Sequence, residues 1–189
     1  MDDRDYWKQF YLTNTCVQQP SNFCCFVMDY FNNKDNLKIL DAGCGNGRDS
    51  FYMATKFDVV GVDSSSFRPD DREHCKFYTD DFCSFNKDDF DVIYSRFTFH
   101  SITNEDHVKF LDSIQRSDTY LCIETRSDKG KETFRVHGDG HYRNFTNLYY
   151  ISDLLYSKGF KILHLEERDN VAVYKEENPI CIRIICKKI

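Results

Sequence analysis

Asp41-Ala42-Gly43-Cys44-Gly45-Asn46-Gly47 brings together the residue types that handle a charged small molecule. Glycines at alternate positions let the backbone turn tightly and bring its N–H groups against a ligand. The spacing is G-x-G-x-G rather than the G-x-G-x-x-G of a dinucleotide-binding turn. Asp41 also stands just before the first glycine. A pyrophosphate gains nothing from a carboxylate at that place, whereas a ligand carrying a cationic amine or sulfonium does.

The neighbouring elements must hold this loop in position. Leu37, Ile39 and Leu40 read as a buried strand leading into it, and Asp49 to Ala54 as the amphipathic helix leading out. Val59-Val60-Gly61-Val62-Asp63 is a second buried strand ending in an acid. Lys76 to Thr79 is a third, followed by Asp80-Asp81-Phe82, and Phe90 to Ser95 is the fourth. A helix over Glu105 to Ile114 and a fifth strand over Tyr120 to Arg126 come next. Leu148 to Ser157 is helical and closed by Lys158-Gly159, and Phe160 to Leu165 and Pro179 to Cys186 are the last strands. Ahead of them all, Asp5 to Tyr30 is helical, with Tyr6, Trp7, Phe10 and Tyr11 at helical spacing and a break at Pro20-Ser21.

The loop, with an acid ending the next strand, resembles the first motifs of class I S-adenosylmethionine (SAM)-dependent methyltransferases. That resemblance implies an α/β, Rossmann-like three-layer sandwich. Its sheet would have seven strands, mostly parallel, with an antiparallel last strand. It implies SAM as cofactor and S-adenosylhomocysteine (SAH) as product. Asp41, Gly43, Cys44, Gly45 and Asn46 would form the cofactor loop, and Asp63 with Ser64 would meet the ribose hydroxyls. Asp81, or Asp80 beside it, would accept from the adenine amino group while Phe82 packs on the ring. Ser95, Arg96 and Phe97 would line the floor, and Trp7, Tyr11 or Ser21 would close over the top. An amphipathic cover on the core explains the aromatic start equally well.

Beyond the motif, the whole chain is similar to a narrower group of methyltransferases encoded beside surface-polysaccharide and glycan enzymes in bacteria and some large viruses. The shared features are Pro20-Ser21-x-Phe23, Gly43 to Ser50, Ser95 to Ile102, Glu124-x-Arg126-Ser127, His141-Tyr142-Arg143 and Glu177-Asn178-Pro179-Ile180-x-Ile182-Arg183. The implied reaction is O-methylation of a sugar hydroxyl, for example on a terminal deoxyhexose such as rhamnose. Partners would be a small-molecule or oligosaccharide acceptor and glycosyltransferase domains. Other small metabolites, a protein or tRNA acceptor, and a SAM-binding module without turnover remain as alternatives.

The stretch Arg96 to Ile102 leaves the fourth strand where open α/β sheets bind ligands. It lacks the Asn/Asp-Pro-Pro-Tyr/Phe of enzymes that methylate base amino groups, which favours an oxygen acceptor. A hydroxyl is weakly acidic, so a positioned base is useful, typically worth about 10²–10⁴-fold. The candidates are His100, His137, His141 and Glu124. Arg126 and Glu124 read as a pair facing the same crevice, either a salt bridge or a fork for hydroxyls. Residues 127–146 lack periodicity and carry His137, Asp139, Tyr142 and Arg143, the expected acceptor contacts. A metal held by His137, Asp139 and His141 is not favoured, because hard cations prefer oxygen ligands.

The 189 residues fit one domain, residues 1–189, with a helical cap over 1–36. Whether that domain was cut from a glycosyltransferase fusion stays open. A net charge of -6 argues against a nucleic-acid footprint. Nine cysteines without a C-x-x-C pair read as buried reduced thiols, and so as a reducing, cytoplasmic setting, that of a host cell if the chain is viral. No apolar run is long enough for membrane insertion, and Met1-Asp2-Asp3 does not open a signal peptide.

Overall fold

A computed structural model describes residues 3–13, 19–133, 143–174 and 176–189. Two helices come first, α1 (Asp3–Thr13) and α2 (Asn22–Tyr30). Then follow β1 (Lys38–Ala42), α3 (Arg48–Met53), β2 (Asp58–Asp63), β3 (Cys75–Thr79) and β4 (Val92–Arg96). A 3-10 turn (Phe99–Ser101), α4 (Asn104–Asp112), β5 (Tyr120–Arg126) and a second such turn (Asp128–Thr133) lead to α5 (Leu148–Ser157), β6 (Phe160–Arg168) and β7 (Cys181–Lys188). The seven strands form one sheet ordered β3-β2-β1-β4-β5-β7-β6. All pairings are parallel except those of β7, which runs antiparallel to β5 and β6. This is the α/β, Rossmann-like sandwich expected from the sequence.

Alternation along the strands creates the layers, because successive side chains point to opposite faces. Leu40, Ile93, Leu121 and Ile123 meet Phe110 and Leu111 of α4 and Ile151 and Leu155 of α5 on one face. Ile39, Val59, Val92 and Cys122 meet Phe23 and Val27 of α2 and Met53 of α3 on the other. Capping fixes the helices in register. The Thr103 hydroxyl accepts from the Asp106 backbone N–H while the Asp106 carboxylate accepts back from Thr103. Asn147 accepts from Tyr149 and Tyr150 at the start of α5, and Gly159 ends it at φ 74°.

Lys87 is completely buried in the connection from β3 to β4. Its ammonium donates to the carbonyls of Phe82 at 2.7 Å and Phe85 at 3.1 Å and to the Ser113 hydroxyl at 2.7 Å. That connection thus curls around a charge, and Phe82 is set at the sheet end. Burial pulls the Lys87 pKa down to about 8. Eight cysteines are free among the described residues, most of them buried. Among those residues no helix is long and apolar enough to cross a membrane.

The two ends of the 127–146 segment are tied together. Thr146 N–H donates to the Arg126 carbonyl and Asp128 N–H to the Thr146 carbonyl. His137, Asp139, His141 and Tyr142 lie outside the described residues. Arg143 is described, and the tie holds it at the end of β5.

Candidate active site

The strand order reverses between β1 and β4, and the loops there open into a cleft of about 900 Å³. The glycine loop forms one wall. Gly43 and Cys44 donate to the Val62 carbonyl at 2.7 and 3.2 Å, which fastens the loop to β2. Asp63 accepts from Gly45 N–H at 2.9 Å and from Ser65 N–H at 2.8 Å. Its carboxylate therefore joins the loop after β1 to the turn after β2, while still facing the cleft with Ser64.

Two buried carboxylates stand behind the loop in different states. Asp41, 3% exposed, accepts from the Ser50 hydroxyl at 2.5 Å. Burial pushes its pKa up to about 7, with Asp49 and Asp63 adding to the rise. Asp49 is also buried, and burial alone would raise it. The Arg96 and Arg48 charges and the Ser21 hydrogen bonds instead bring it below its ordinary value. It accepts from Ser21 N–H at 2.8 Å, Ser21 Oγ at 2.6 Å, Tyr94 Oη at 2.7 Å and Arg48 Nε at 3.1 Å. One acid is a fixed anion, and the other is poised to ionise when a cation arrives.

The aromatic residues of α1 lie over this wall. Trp7 and Tyr11 stack with ring centroids 6.0 Å apart and both line the cleft, as do Tyr6 and Phe10. Tyr11 closes on the loop: a Cβ on Gly45 would lie 2.4 Å from its hydroxyl oxygen. Ser21 lines the cleft as well, but its hydroxyl is buried and bonded to Asp49.

The opposite wall follows β4. Phe97 adopts φ 59°, a left-handed conformation that bulky residues rarely take. Its N–H donates to the Glu124 carbonyl at 2.7 Å. Its ring lies between the guanidiniums of Arg96 and Arg126, 4.3 and 5.4 Å from the centroid. His100 packs edge-on against the same ring at 5.2 Å. Its Nε2 lies 3.0 Å from Nη1 of Arg143. A guanidinium only donates, so Nε2 accepts and the imidazole carries its proton on Nδ1.

Of the sequence-predicted residues, Trp7, Asp41, Gly43, Cys44, Gly45, Asn46, Asp63, Ser64, Phe82, Arg96, Phe97, His100, Arg126 and Arg143 line the cleft together. Three assignments require correction. Glu124 is no base and faces no crevice: it is 1% exposed, and its two oxygens accept from Arg96 Nε at 2.9 Å and Arg183 Nε at 2.7 Å. Nor does it pair with Arg126, which donates to Glu177 at 2.7 Å. Asp81 does not line the main cleft. Its carboxylate accepts from Cys83 N–H, Ser84 Oγ and Lys109 Nζ, and it borders a smaller hollow with Ser64, Thr79 and Asp80. Ser95 is buried, with its hydroxyl bonded to that of Thr98, and Thr98 takes its place in the wall.

Sequence reasoning missed Asp49, Arg48, Tyr94 and Thr98, and residues 171–174, 176 and 177 of the stretch before β7. One signal was available. Arg183 sits in the apolar run of β7, where a buried charge requires a partner, and the antiparallel register sets it opposite Glu124.

A methyltransferase-domain family model matches residues 39–117. Two uncharacterized methyltransferases of Schizosaccharomyces pombe are each 31% identical over 119 residues, which is 56% of this chain and 81% of theirs. The chain belongs to the SAM-dependent methyltransferases. Solved structures agree on the fold. A SAM-dependent methyltransferase from Anabaena variabilis superposes with a TM-score of 0.72 at 16% identity, covering 100% of this methyltransferase and 96% of that chain. The 1,6-didemethyltoxoflavin-N1-methyltransferase of Burkholderia thailandensis, solved with its acceptor and SAH, gives 0.68 at 17% identity, covering 99% and 82%. The magnesium protoporphyrin IX methyltransferase of Synechocystis, solved with SAH, gives 0.67 at 15%, covering 97% of each.

The residues fit the cofactor. SAM carries an amine and a sulfonium, and Asp41 offers these cations a carboxylate that burial leaves near neutral. The sign of the linkage follows from the raised pKa. Stability contributed by neutral Asp41 is fully present below its unfolded value, about 3.9, and is lost as pH rises through about 7. A cofactor cation held by Asp41 would draw on the ionised form, and SAM affinity would then fall roughly ten-fold from pH 8 to pH 6. Asp41→Asn should flatten that profile, bind SAM more weakly, and raise the cofactor-free melting temperature at pH 8. A pH-independent affinity in calorimetry across this range would remove Asp41 from cofactor binding.

Proposed function

We propose that this methyltransferase transfers the methyl group of SAM to a hydroxyl of a small polar acceptor, a sugar of a glycan or glycan precursor. The observation that carries the reading is the continuity of the cleft. It runs from the glycine loop to His100, Arg126 and Arg143, so that cofactor and acceptor share one chamber. Its volume of about 900 Å³ lies in the range of small-molecule pockets, roughly 300–1,000 Å³. Hydrogen-bonding and charged side chains at the far end suit a polyol. When bound, SAM supplies a methyl already activated on sulfur, so the protein mainly has to align the acceptor oxygen, which can supply roughly 7–11 kcal/mol. His141 is a candidate base, His100 becomes one only when Arg143 releases its Nε2, and glycosyltransferase domains would be natural suppliers of the acceptor.

A second reading is a non-sugar metabolite. It is favoured by the solved neighbours named as methyltransferases of 1,6-didemethyltoxoflavin and of magnesium protoporphyrin IX. The test is a calorimetric titration with SAH, followed on the same sample by a mass-spectrometric screen with SAM over oligosaccharides, nucleotide sugars and aromatic metabolites. We expect SAH binding and a gain of one methyl on a sugar oxygen. Transfer to a ring nitrogen or a non-sugar metabolite would replace the first reading by the second.

A further inference from the structure

The arginines around the far end of the cleft have unequal partners. Arg96 and Arg183 share Glu124, at 2.9 and 2.7 Å, and Arg126 is paired with Glu177 at 2.7 Å. Among the described residues no carboxylate forms an ion pair with Arg143, whose Nη1 instead meets the neutral His100. Arg143 is nonetheless held in place. The next residue, Asn144, donates its N–H to the His100 carbonyl at 2.7 Å and its amide to the Ile102 carbonyl at 3.0 Å.

Keeping such a cation half-buried is costly. Burial, with the Arg126 charge next in effect, pulls its pKa down to about 10, so it remains charged at neutral pH. Glu177, paired with Arg126, offsets only part of the Arg143 charge from a distance. A planar guanidinium facing a cavity, with a second beside it, matches the two oxygens of a carboxylate or phosphate. The cofactor has its own surroundings at the other end, where Arg48 pairs with Asp49 behind the glycine loop.

We propose that Arg143, backed by Arg126, captures an anionic group on the methyl acceptor, a carboxylate or a phosphate ester, so that the substrate is an acidic or phosphorylated sugar. This rests on the reading of the cleft as a sugar methyltransferase site. The anion takes the guanidinium face that His100 does not occupy, and the sugar ring extends toward the glycine loop.

The test uses the full chain saturated with SAH and titrated separately with glucuronate, glucose 6-phosphate and glucose. We expect at least one of the two anions to bind ten-fold or more tighter than glucose, and the preferred one to show which source of charge the site takes. Arg143→Gln should lose that ten-fold preference while retaining parental SAH affinity, which also shows that the variant is folded, and Arg143→Lys should recover part of it. Equal binding of glucose and the anions would overturn the inference and leave the neutral-sugar reading standing, as would an anion preference that survives Arg143→Gln. Absence of binding by all three sugars would also overturn it. A fall in SAH affinity in Arg143→Gln would assign the guanidinium to the cofactor instead. Failure of the parent to bind SAH would strike the underlying methyltransferase reading.

Discussion

Glu124→Ala should destabilise the protein by about 3–5 kcal/mol, because removing one partner of a buried charge cluster leaves the others uncompensated. Here two partners are left, though Arg183 keeps a longer ion pair to Glu166 at 3.7 Å. Arg96 and Arg183 both donate to Glu124, which is 1% exposed in the middle of the sheet. For a chain of this size the loss corresponds to a fall in melting temperature of roughly 6–20 °C. Glu124→Gln should recover only part of it, since its amide nitrogen would face a guanidinium, donor against donor. Thermal and urea unfolding of the two variants decide the point. A parental melting temperature with lost turnover would restore Glu124 to the catalytic role that its charge and position first suggested.

Gly43→Ala should be the most damaging single change in the glycine loop. Its φ of 81° is left-handed, which costs an alanine about 1–2 kcal/mol. The new Cβ would stand 2.0 Å from Cγ2 of Thr98. Thr98 is 6% exposed and bonded to Ser95, so it has little room to move, and overpacking of this kind costs about 1–3 kcal/mol more. The sum, about 2–5 kcal/mol, should be divided between folding and SAH affinity, since a loop that shifts to save the fold carries Gly45 N–H away from Asp63. A second change, Thr98→Ala, should return most of the overpacking share and none of the backbone share. SAH titrations and unfolding curves measure both parts. Parental values for Gly43→Ala alone would refute the geometry.

The elements legible in the sequence were those whose signal is local. The β1 run, Asp41, the alternating glycines and Asp63 are contiguous or nearly so, and each states its requirement through its own side chain or its lack of one. Strand β5, a short run buried almost throughout, and helix α5, closed by Lys158-Gly159, were bounded correctly. What escaped was long-range pairing of charges. Glu124 and Arg126 share a face of β5, and from sequence alone the simplest reading joined them. Their partners come from β4, β7 and the segment before β7, far along the chain, and only the sheet order brings those together. Asp81 shows the same limit: an acid after β3 can face a ligand or a lysine, and here its carboxylate accepts from Lys109 on α4.

The contact of Tyr11 with Gly45 bears on rates. A ligand on the Cβ side of Gly45 meets the Tyr11 hydroxyl, so a cofactor seated on that side requires the ring to swing away first. Association then scales with the fraction of molecules in which the ring is displaced. The same ring, closing again from above, would slow departure of the spent cofactor. SAH should therefore associate well below the diffusion limit, as binding that needs a conformational change does, and Tyr11→Ala should accelerate both arrival and release in stopped-flow traces. Turnover in this enzyme would then be timed by one phenol ring as much as by the chemistry beneath it, and equal rates in parent and variant would show the ring to be a bystander.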